Sequence, residues 1–224
     1  MVSSNDPGWN NGKDAGKDGV SRRSFMVTLG ASAAAASLSQ AAQAALPKGQ
    51  DAQPESDVRG PGEASLTLNV NGQSRTIKAE PTTTLLDALR QKMGLTGPKE
   101  ICDRGACGGC SVIVNGNLVA SCMMLAADAE GAAITTIEGL SKDGKLDPVQ
   151  ESFIRHDALQ CGYCTPGFVM AGRALLDKKP KPTLAEIKKA LSGNICRCGT
   201  YTNVFNAILE ASGQPPVMDS APGA

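Results

Sequence analysis

The sequence predicts an α+β chain with two small domains, a sheet-rich domain over residues 65–138 and an all-α domain of four helices over residues 139–213. In the first domain, short apolar runs alternate with polar residues, and Asn-Gly pairs separate neighbouring runs. After residue 138 the apolar period changes from two residues to three or four, which indicates helices. The chain of 224 residues is long enough to bury two such cores.

Two predicted hairpins supply most of the strands. The first has its turn at Asn71-Gly72, with a return strand that runs to Ala79. The second has its turn at Asn115-Gly116, and counting the register outward from it places Cys122 opposite Gly109.

A helix and a closing strand complete the first domain. Thr84 and Asp87 form the pattern of a capping box at the start of the helix, and Gly94 ends it. Residues 133–137 are predicted to form the closing strand. The order hairpin, helix, loop, hairpin, strand is that of a β-grasp fold.

Capping residues mark the helices of the second domain. Three helix starts have an N-cap residue followed by Pro, or by Glu three residues later: Asp147-Pro148, Thr165-Pro166, and Thr183 with Glu186. The fourth helix is predicted from the apolar spacing of Val204 and Ile208.

Four cysteines of the first domain have the C-x4-C-x2-C spacing of plant-type ferredoxins, with the fourth after the second hairpin. We call them the first cysteine set: Cys102, Cys107, Cys110 and Cys122. Glycines within the loop allow it to turn its N–H groups inward, which favours an anionic group. The set predicts a [2Fe–2S] cluster, with a zinc site or a disulfide pair as the alternatives.

The remaining four cysteines lie at predicted helix ends. We call them the second cysteine set: Cys161, Cys164, Cys196 and Cys198. The C-x2-C pair alone is weak evidence, but the C-x-C pair supplies the two further thiolates that a cluster needs. Helix N-terminal N–H groups favour an anionic cluster there. The second set therefore predicts another [2Fe–2S] cluster, with zinc as the main alternative.

Composition excludes several classes of site. The chain has eight Cys and one His, so a Rieske centre or a mixed cysteine–histidine zinc finger lacks its histidines. Zero formal net charge and 3% aromatic residues argue against a nucleic-acid partner. No catalytic residue is predicted, because the single histidine, His156, lies on a predicted helix face.

The amino terminus resembles a twin-arginine export signal. Arg22 and Arg23 precede a weakly apolar, Ala-rich run that is a poor transmembrane span. The Ala42-Gln43-Ala44 sequence predicts cleavage near Ala44/Ala45, and hence a periplasmic protein that acquires its cofactors before export. Residues 1–44 are thus interpreted as a signal peptide, 45–64 as a flexible linker and 214–224 as a loose tail.

Both cysteine sets occur in one order, with the second inside Gln160-Cys-Gly-Tyr-Cys-Thr-Pro-Gly167 and Gly193-Asn-Ile-Cys-Arg-Cys-Gly199. Over residues 65–213 this resembles the iron–sulfur subunit of the xanthine oxidase family of molybdenum hydroxylases. Together with the export signal, the chain looks most like the iron–sulfur subunit of a periplasmic aldehyde oxidoreductase. Ile101 departs from the glycine that many members have there, and we expect this to change packing rather than ligation.

The resemblance implies a non-catalytic, electron-transfer subunit. It implies a large subunit with a molybdenum–pterin cofactor, where an aldehyde becomes an acid, and an FAD-binding medium subunit. The cluster of the helical domain would lie nearest the molybdenum, with Gln160 and Cys198 as possible pterin contacts, and the other cluster would pass electrons to FAD or an external acceptor.

Other functions stay open at this point. Some relatives with this type of small subunit oxidise N-heterocycles such as isoquinoline or purines. Others oxidise carbon monoxide. A zinc-stabilised interaction module and a free-standing ferredoxin are alternatives of other classes. The helical domain argues against the last of these, because a plant-type ferredoxin needs no second domain.

Overall fold

The structure is a computed structural model that describes residues 60–216, all of which belong to one compact unit. The predicted signal peptide lies outside the described residues, as do most of the predicted linker and tail. Among residues 60–216, none of the helices combines the length and apolar character needed to cross a membrane.

Five strands form one mixed sheet in the order β2-β1-β5-β3-β4. They are β1 (Ala64–Val70), β2 (Gln73–Ala79), β3 (Ser111–Val114), β4 (Asn117–Ala120) and β5 (Ala133–Thr135). The neighbours β1 and β5 run parallel, and the other pairs are antiparallel. With the helical half described below, this confirms the predicted α+β fold, although β5 is two residues shorter than expected.

Both hairpin turns have the predicted type I′ geometry. Asn71 and Gly72 have φ values of 53° and 76°, and Asn115 and Gly116 have 49° and 77°. The second ladder ends at the pair of Ser111 and Ala120, so the register does not extend to Cys122 as expected. A 3-10 turn over Ser121–Met123 follows instead and packs Cys122 against Cys110.

The helix of the first domain has an unexpected form. Its first turn, α1 (Leu85–Asp87), begins after Thr84 as predicted, with Thr84 Oγ1 accepting from the N–H of Asp87 at 3.1 Å. The second half of the predicted capping box differs, because the Asp87 carboxylate accepts from the Thr84 hydroxyl. The chain then widens into a π-helix over Ala88–Lys92, where the N–H of Met93 donates to the carbonyl five residues earlier. Gly94, at φ 72°, ends it as expected.

Four helices build the second domain. They are α2 (Pro148–Arg155), α3 (Thr165–Lys178), α4 (Leu184–Ala190) and α5 (Tyr201–Ala211). Asp147 and Thr183 form the capping boxes of α2 and α4. The predicted cap at Thr165 is wrong, because Thr165 is the first residue of α3 and Cys164 occupies the N-cap position.

Each domain has its own apolar core, and α3 packs on the sheet between them. Leu68, Leu89 and Ile134 are among the buried residues of the sheet core, and Phe153 and Ile208 among those of the helical core. A smaller buried group joins Met170 and Ala174 of α3 to Ile113 of β3. This contact holds the loops that carry the two cysteine sets side by side.

Candidate metal centres

The first cysteine set lies on the loop before β3 and on the 3-10 turn after β4. Gly105 and Gly108 have φ values of 70° and 69°, a backbone conformation that glycine adopts without strain. The loop thereby turns N–H groups inward, and the N–H of Gly105 donates to Cys122 Sγ at 3.2 Å. Such N–H groups stabilise a thiolate, which is the form that binds iron.

Within the first set, the thiols interact as two pairs. Cys102 contacts Cys107, and Cys110 contacts Cys122. The N–H of Arg104, followed by the Cys107 thiol, lowers the pKa of Cys102 to about 7. Burial raises the pKa of Cys122 to about 11.

The second cysteine set also forms two pairs. Cys161 contacts Cys198, and Cys164, at the N-cap of α3, contacts Cys196. Burial raises the pKa of Cys164 to about 12. Burial also raises the pKa of Cys196, but hydrogen bonds from Thr200, Cys164 and Cys198 together outweigh this and lower it to about 7.

The two-by-two arrangement fits a cluster with two irons. All eight cysteines are free of disulfides, and each iron of a [2Fe–2S] cluster takes two thiolates. A structural zinc site instead takes four ligands around one ion. The buried hydroxyl of Thr165, directly after Cys164, has no hydrogen-bond partner within residues 60–216 and is suited to donate to a cluster sulfur.

The loops that carry the two sets are in direct contact. The carbonyl of Cys107 accepts from the N–H of Ile195 at 3.0 Å, and the carbonyl of Gly108 accepts from Asn194 Nδ2 at 3.1 Å. A Cβ added at Gly167, in the first turn of α3, would lie 2.2 Å from the Gly108 oxygen. Only glycine at position 167 permits this close approach of α3 to the loop.

A protein-family model described as a 2Fe-2S iron-sulfur cluster binding domain matches residues 68–136, and one described as a [2Fe-2S] binding domain matches residues 136–209. The two matches meet at residue 136, in the connection between the sheet-rich and helical halves.

Relatives resemble the chain over both domains. The nicotinate dehydrogenase small FeS subunit of Eubacterium barkeri is 49% identical over 144 residues, which cover 64% of this chain and 92% of that protein. The aldehyde oxidoreductase iron-sulfur-binding subunit PaoA of Escherichia coli K12 is 44% identical over 164 residues, covering 66% and 72%. In the solved structure of quinoline 2-oxidoreductase from Pseudomonas putida 86, a chain aligns with a TM-score of 0.65 and 41% identity, over 69% of this chain and 99% of that one.

The chain belongs to the small iron–sulfur subunits of the xanthine oxidase family of molybdenum hydroxylases. The family resemblance seen in the sequence is thereby confirmed, together with two [2Fe–2S] clusters as cofactors and an electron-transfer role within an oxidoreductase complex.

In this small subunit, the surface near the second set is partly apolar. Cys161 and Cys198 are exposed, as is Gln160. Tyr163 and Ile195 expose 50% and 53% of their surface beside them. An exposed apolar surface around exposed ligands is suited to contact with a partner protein.

Sequence reasoning missed two residues around Cys196. Thr200 Oγ1 lies 3.2 Å from Cys196 Sγ, and the Tyr201 hydroxyl accepts from the Cys196 N–H at 2.9 Å. The signal was present, because both residues follow the C-x-C pair after a single glycine, but a threonine there is equally typical of a helix cap.

Ile101 and His156 have structural contacts. The Ile101 side chain packs over Gly109, whose added Cβ would lie 2.3 Å from Ile101 Cδ1. His156 Nε2 and Arg155 both contact the carboxylate of Glu210, which ties α2 to α5. Burial raises the pKa of Glu210, but these two contacts outweigh it and hold the pKa below its usual value.

Proposed function

We propose that this chain is the electron-transfer subunit of a complex that oxidises aldehydes to carboxylic acids. Each cysteine set holds one [2Fe–2S] cluster, and each contacting pair of thiols serves one iron. Cys102 with Cys107, and Cys110 with Cys122, bind the first cluster. Cys161 with Cys198, and Cys164 with Cys196, bind the second. When bound, each cluster accepts and releases one electron at a time.

The observation that carries the proposal is the contact between the loops of the two sets. From Cys107, one hydrogen bond leads to Ile195, and a single peptide bond leads from there to Cys196. A carrier of electrons between two other subunits needs such a short connection between its centres. A module with two independent structural zinc sites has no such need.

We propose that the second set faces a large subunit with the molybdenum–pterin cofactor. Gln160 and Cys198 contact the pterin, and their exposure leaves them accessible to it. Electrons then leave through the cluster of the first set, either to FAD on a medium subunit or to an external acceptor.

The aldehyde substrate has support from PaoA. The alignment with PaoA leaves 28% of that protein outside it (100% − 72%), against 8% of the nicotinate dehydrogenase subunit (100% − 92%). Like this chain, PaoA therefore has a long stretch beyond the two shared domains. The second candidate is an N-heterocycle, and its support is the higher identity to the nicotinate dehydrogenase subunit, 49% against 44%.

The experiment is purification of the complex through a tag on this chain, followed by assays with aldehydes, nicotinate and xanthine. We expect molybdenum and FAD to co-purify, and an aldehyde to bleach the visible absorption of the clusters fastest. Faster bleaching by nicotinate supports the second candidate, and purification without molybdenum contradicts both.

We further propose export through the twin-arginine route, on the basis of Arg22 and Arg23. Changing both arginines to lysine should leave the loaded complex in the cytoplasm, while the unchanged chain is found in the periplasm. Periplasmic recovery of the double variant with the same yield would contradict this route.

A further inference from the structure

Thr200 occupies the N-cap position of α5, yet its side chain makes no capping hydrogen bond. The same residue type at two other helix starts does cap: Thr84 accepts from the N–H of Asp87, and Thr183 from that of Glu186. Threonine is selected at such positions for this bond. The Thr200 hydroxyl therefore serves a different partner.

That partner is a cluster ligand. Thr200 Oγ1 lies 3.2 Å from Cys196 Sγ, and both residues are buried, with 9% and 6% of their surface exposed. In the free thiol, either atom could donate. With iron bound, Cys196 is a thiolate and has no proton, so the hydroxyl must be the donor.

We propose that the Thr200 hydroxyl raises the reduction potential of the second cluster by donating a hydrogen bond to the Cys196 thiolate. Reduction adds negative charge, part of which resides on the ligand sulfurs. A donor held against one of them stabilises the reduced state more than the oxidised state. Thr200 is thus a positioning residue that makes the second cluster a better electron acceptor.

Its surroundings hold Thr200 in place. The Tyr201 hydroxyl accepts from the main-chain N–H of Cys196 at 2.9 Å, which fixes the loop relative to the start of α5. The Tyr201 ring in turn packs edge-on against Phe168 of α3, with 5.9 Å between ring centroids. A hydrogen bond between two anchored groups keeps its geometry when the charge on the sulfur changes.

The first cluster provides an internal control. The hydrogen bond to Cys122 Sγ comes from the main-chain N–H of Gly105, which a change at Thr200 leaves intact. A substitution at Thr200 should therefore shift one midpoint potential and leave the other unchanged. A general loss of structure would disturb both.

The test is a redox titration of the purified complex, followed by electron paramagnetic resonance, for the unchanged protein, T200V and T200S. We expect T200V to lower the midpoint potential of the second cluster by about 59 mV, which corresponds to tenfold in the one-electron equilibrium. T200S retains the hydroxyl, and its potentials should match those of the unchanged protein. A T200V potential equal to that of the unchanged protein, or an equal shift in T200S, would overturn the proposal.

T200A provides a second variant, because it removes the hydroxyl without placing a second methyl group in a buried position. It should shift the same midpoint in the same direction, and an unshifted midpoint in loaded T200A also overturns the proposal. The inference rests on the cluster-binding part of the proposed function and not on the substrate. Because dithionite reduces the clusters in the titration, the result does not depend on whether the substrate is an aldehyde or an N-heterocycle.

Discussion

The carbonyl of Cys107 accepts a hydrogen bond from the N–H of Ile195 at 3.0 Å, and Ile195 immediately precedes Cys196. One hydrogen bond thus joins a proposed ligand of the first cluster to the neighbour of a proposed ligand of the second. Gly108 and Asn194 add a parallel hydrogen bond at 3.1 Å. These two hydrogen bonds therefore join the two domains at the place where the two cysteine loops meet.

The first prediction concerns Gly167, which lets α3 approach this junction. In G167A, the new Cβ would lie 2.2 Å from the Gly108 oxygen, so α3 and the loop must separate. We expect a loss of roughly 2 kcal/mol in stability, the usual cost of overpacking. We also expect a weaker magnetic interaction between the reduced clusters, measured by electron paramagnetic resonance.

The matched control is G193A in the same junction. A Cβ at Gly193 has no atom within 4 Å, so its stability should change by no more than about 0.5 kcal/mol. If G167A retained both the melting temperature and the magnetic interaction of the unchanged protein, the proposed role of this close approach would be wrong.

The second prediction assigns the ligands set by set. C107S should remove the first cluster and retain the second, and C164S should do the reverse, because each set is complete within its own loops. Each variant should keep about half of the iron, since two clusters of equal size are bound. Iron analysis and the two resonance signals check this, and loss of the same signal in both variants would contradict the assignment.

The third prediction concerns the pH dependence of stability through Glu186. Hydrogen bonds from Lys179, and then from the N–H and hydroxyl of Thr183, lower the pKa of Glu186 to about 2 from its ordinary 4.5. Because this pKa is lowered on folding, the charged carboxylate stabilises the fold above about pH 4.5, and this contribution is lost as pH falls toward about 2.

Unfolding of the unchanged protein and of E186Q at several pH values measures this effect. The stability difference between them should be constant near neutral pH and shrink below pH 4.5. K179Q removes the first of the three donors, so it should reduce the pH dependence in part. A difference that stayed constant down to pH 2 would show that Glu186 does not titrate as we infer.

The fourth prediction concerns Glu210, whose carboxylate joins α5 to Arg155 and His156 of the α2 end. E210Q should destabilise the protein by about 1 kcal/mol, a modest value because the side chain is one-third exposed. E151Q removes only an exposed contact within α2 and should cost less than about 0.5 kcal/mol. Thermal unfolding checks both, and equal effects would contradict a special role for Glu210.

Local patterns predicted the elements of this fold well. The turns at Asn71-Gly72 and Asn115-Gly116 and the caps at Thr84, Asp147 and Thr183 depend on neighbouring residues, which the sequence displays directly. The spacing of the cysteines likewise restricts them to a few kinds of site.

Local patterns were misleading at two threonines, and they did not indicate the contact between the two cysteine loops. Thr165 has a typical capping sequence, but the chain turns at Cys164 so that the helix starts one residue earlier. Thr200 also occupies a capping position, and its hydroxyl instead contacts a sulfur. The contact between Cys107 and Ile195 joins residues far apart in sequence, and no local pattern indicates it.

The most direct test of the account is electron paramagnetic resonance and iron analysis of the purified complex after reduction with dithionite. We predict two distinct [2Fe–2S] signals of equal intensity and about four irons per copy of this chain, since each cysteine set binds two. A colourless protein that contains zinc, or a single signal with about two irons, would contradict the assignment of one cluster to each set.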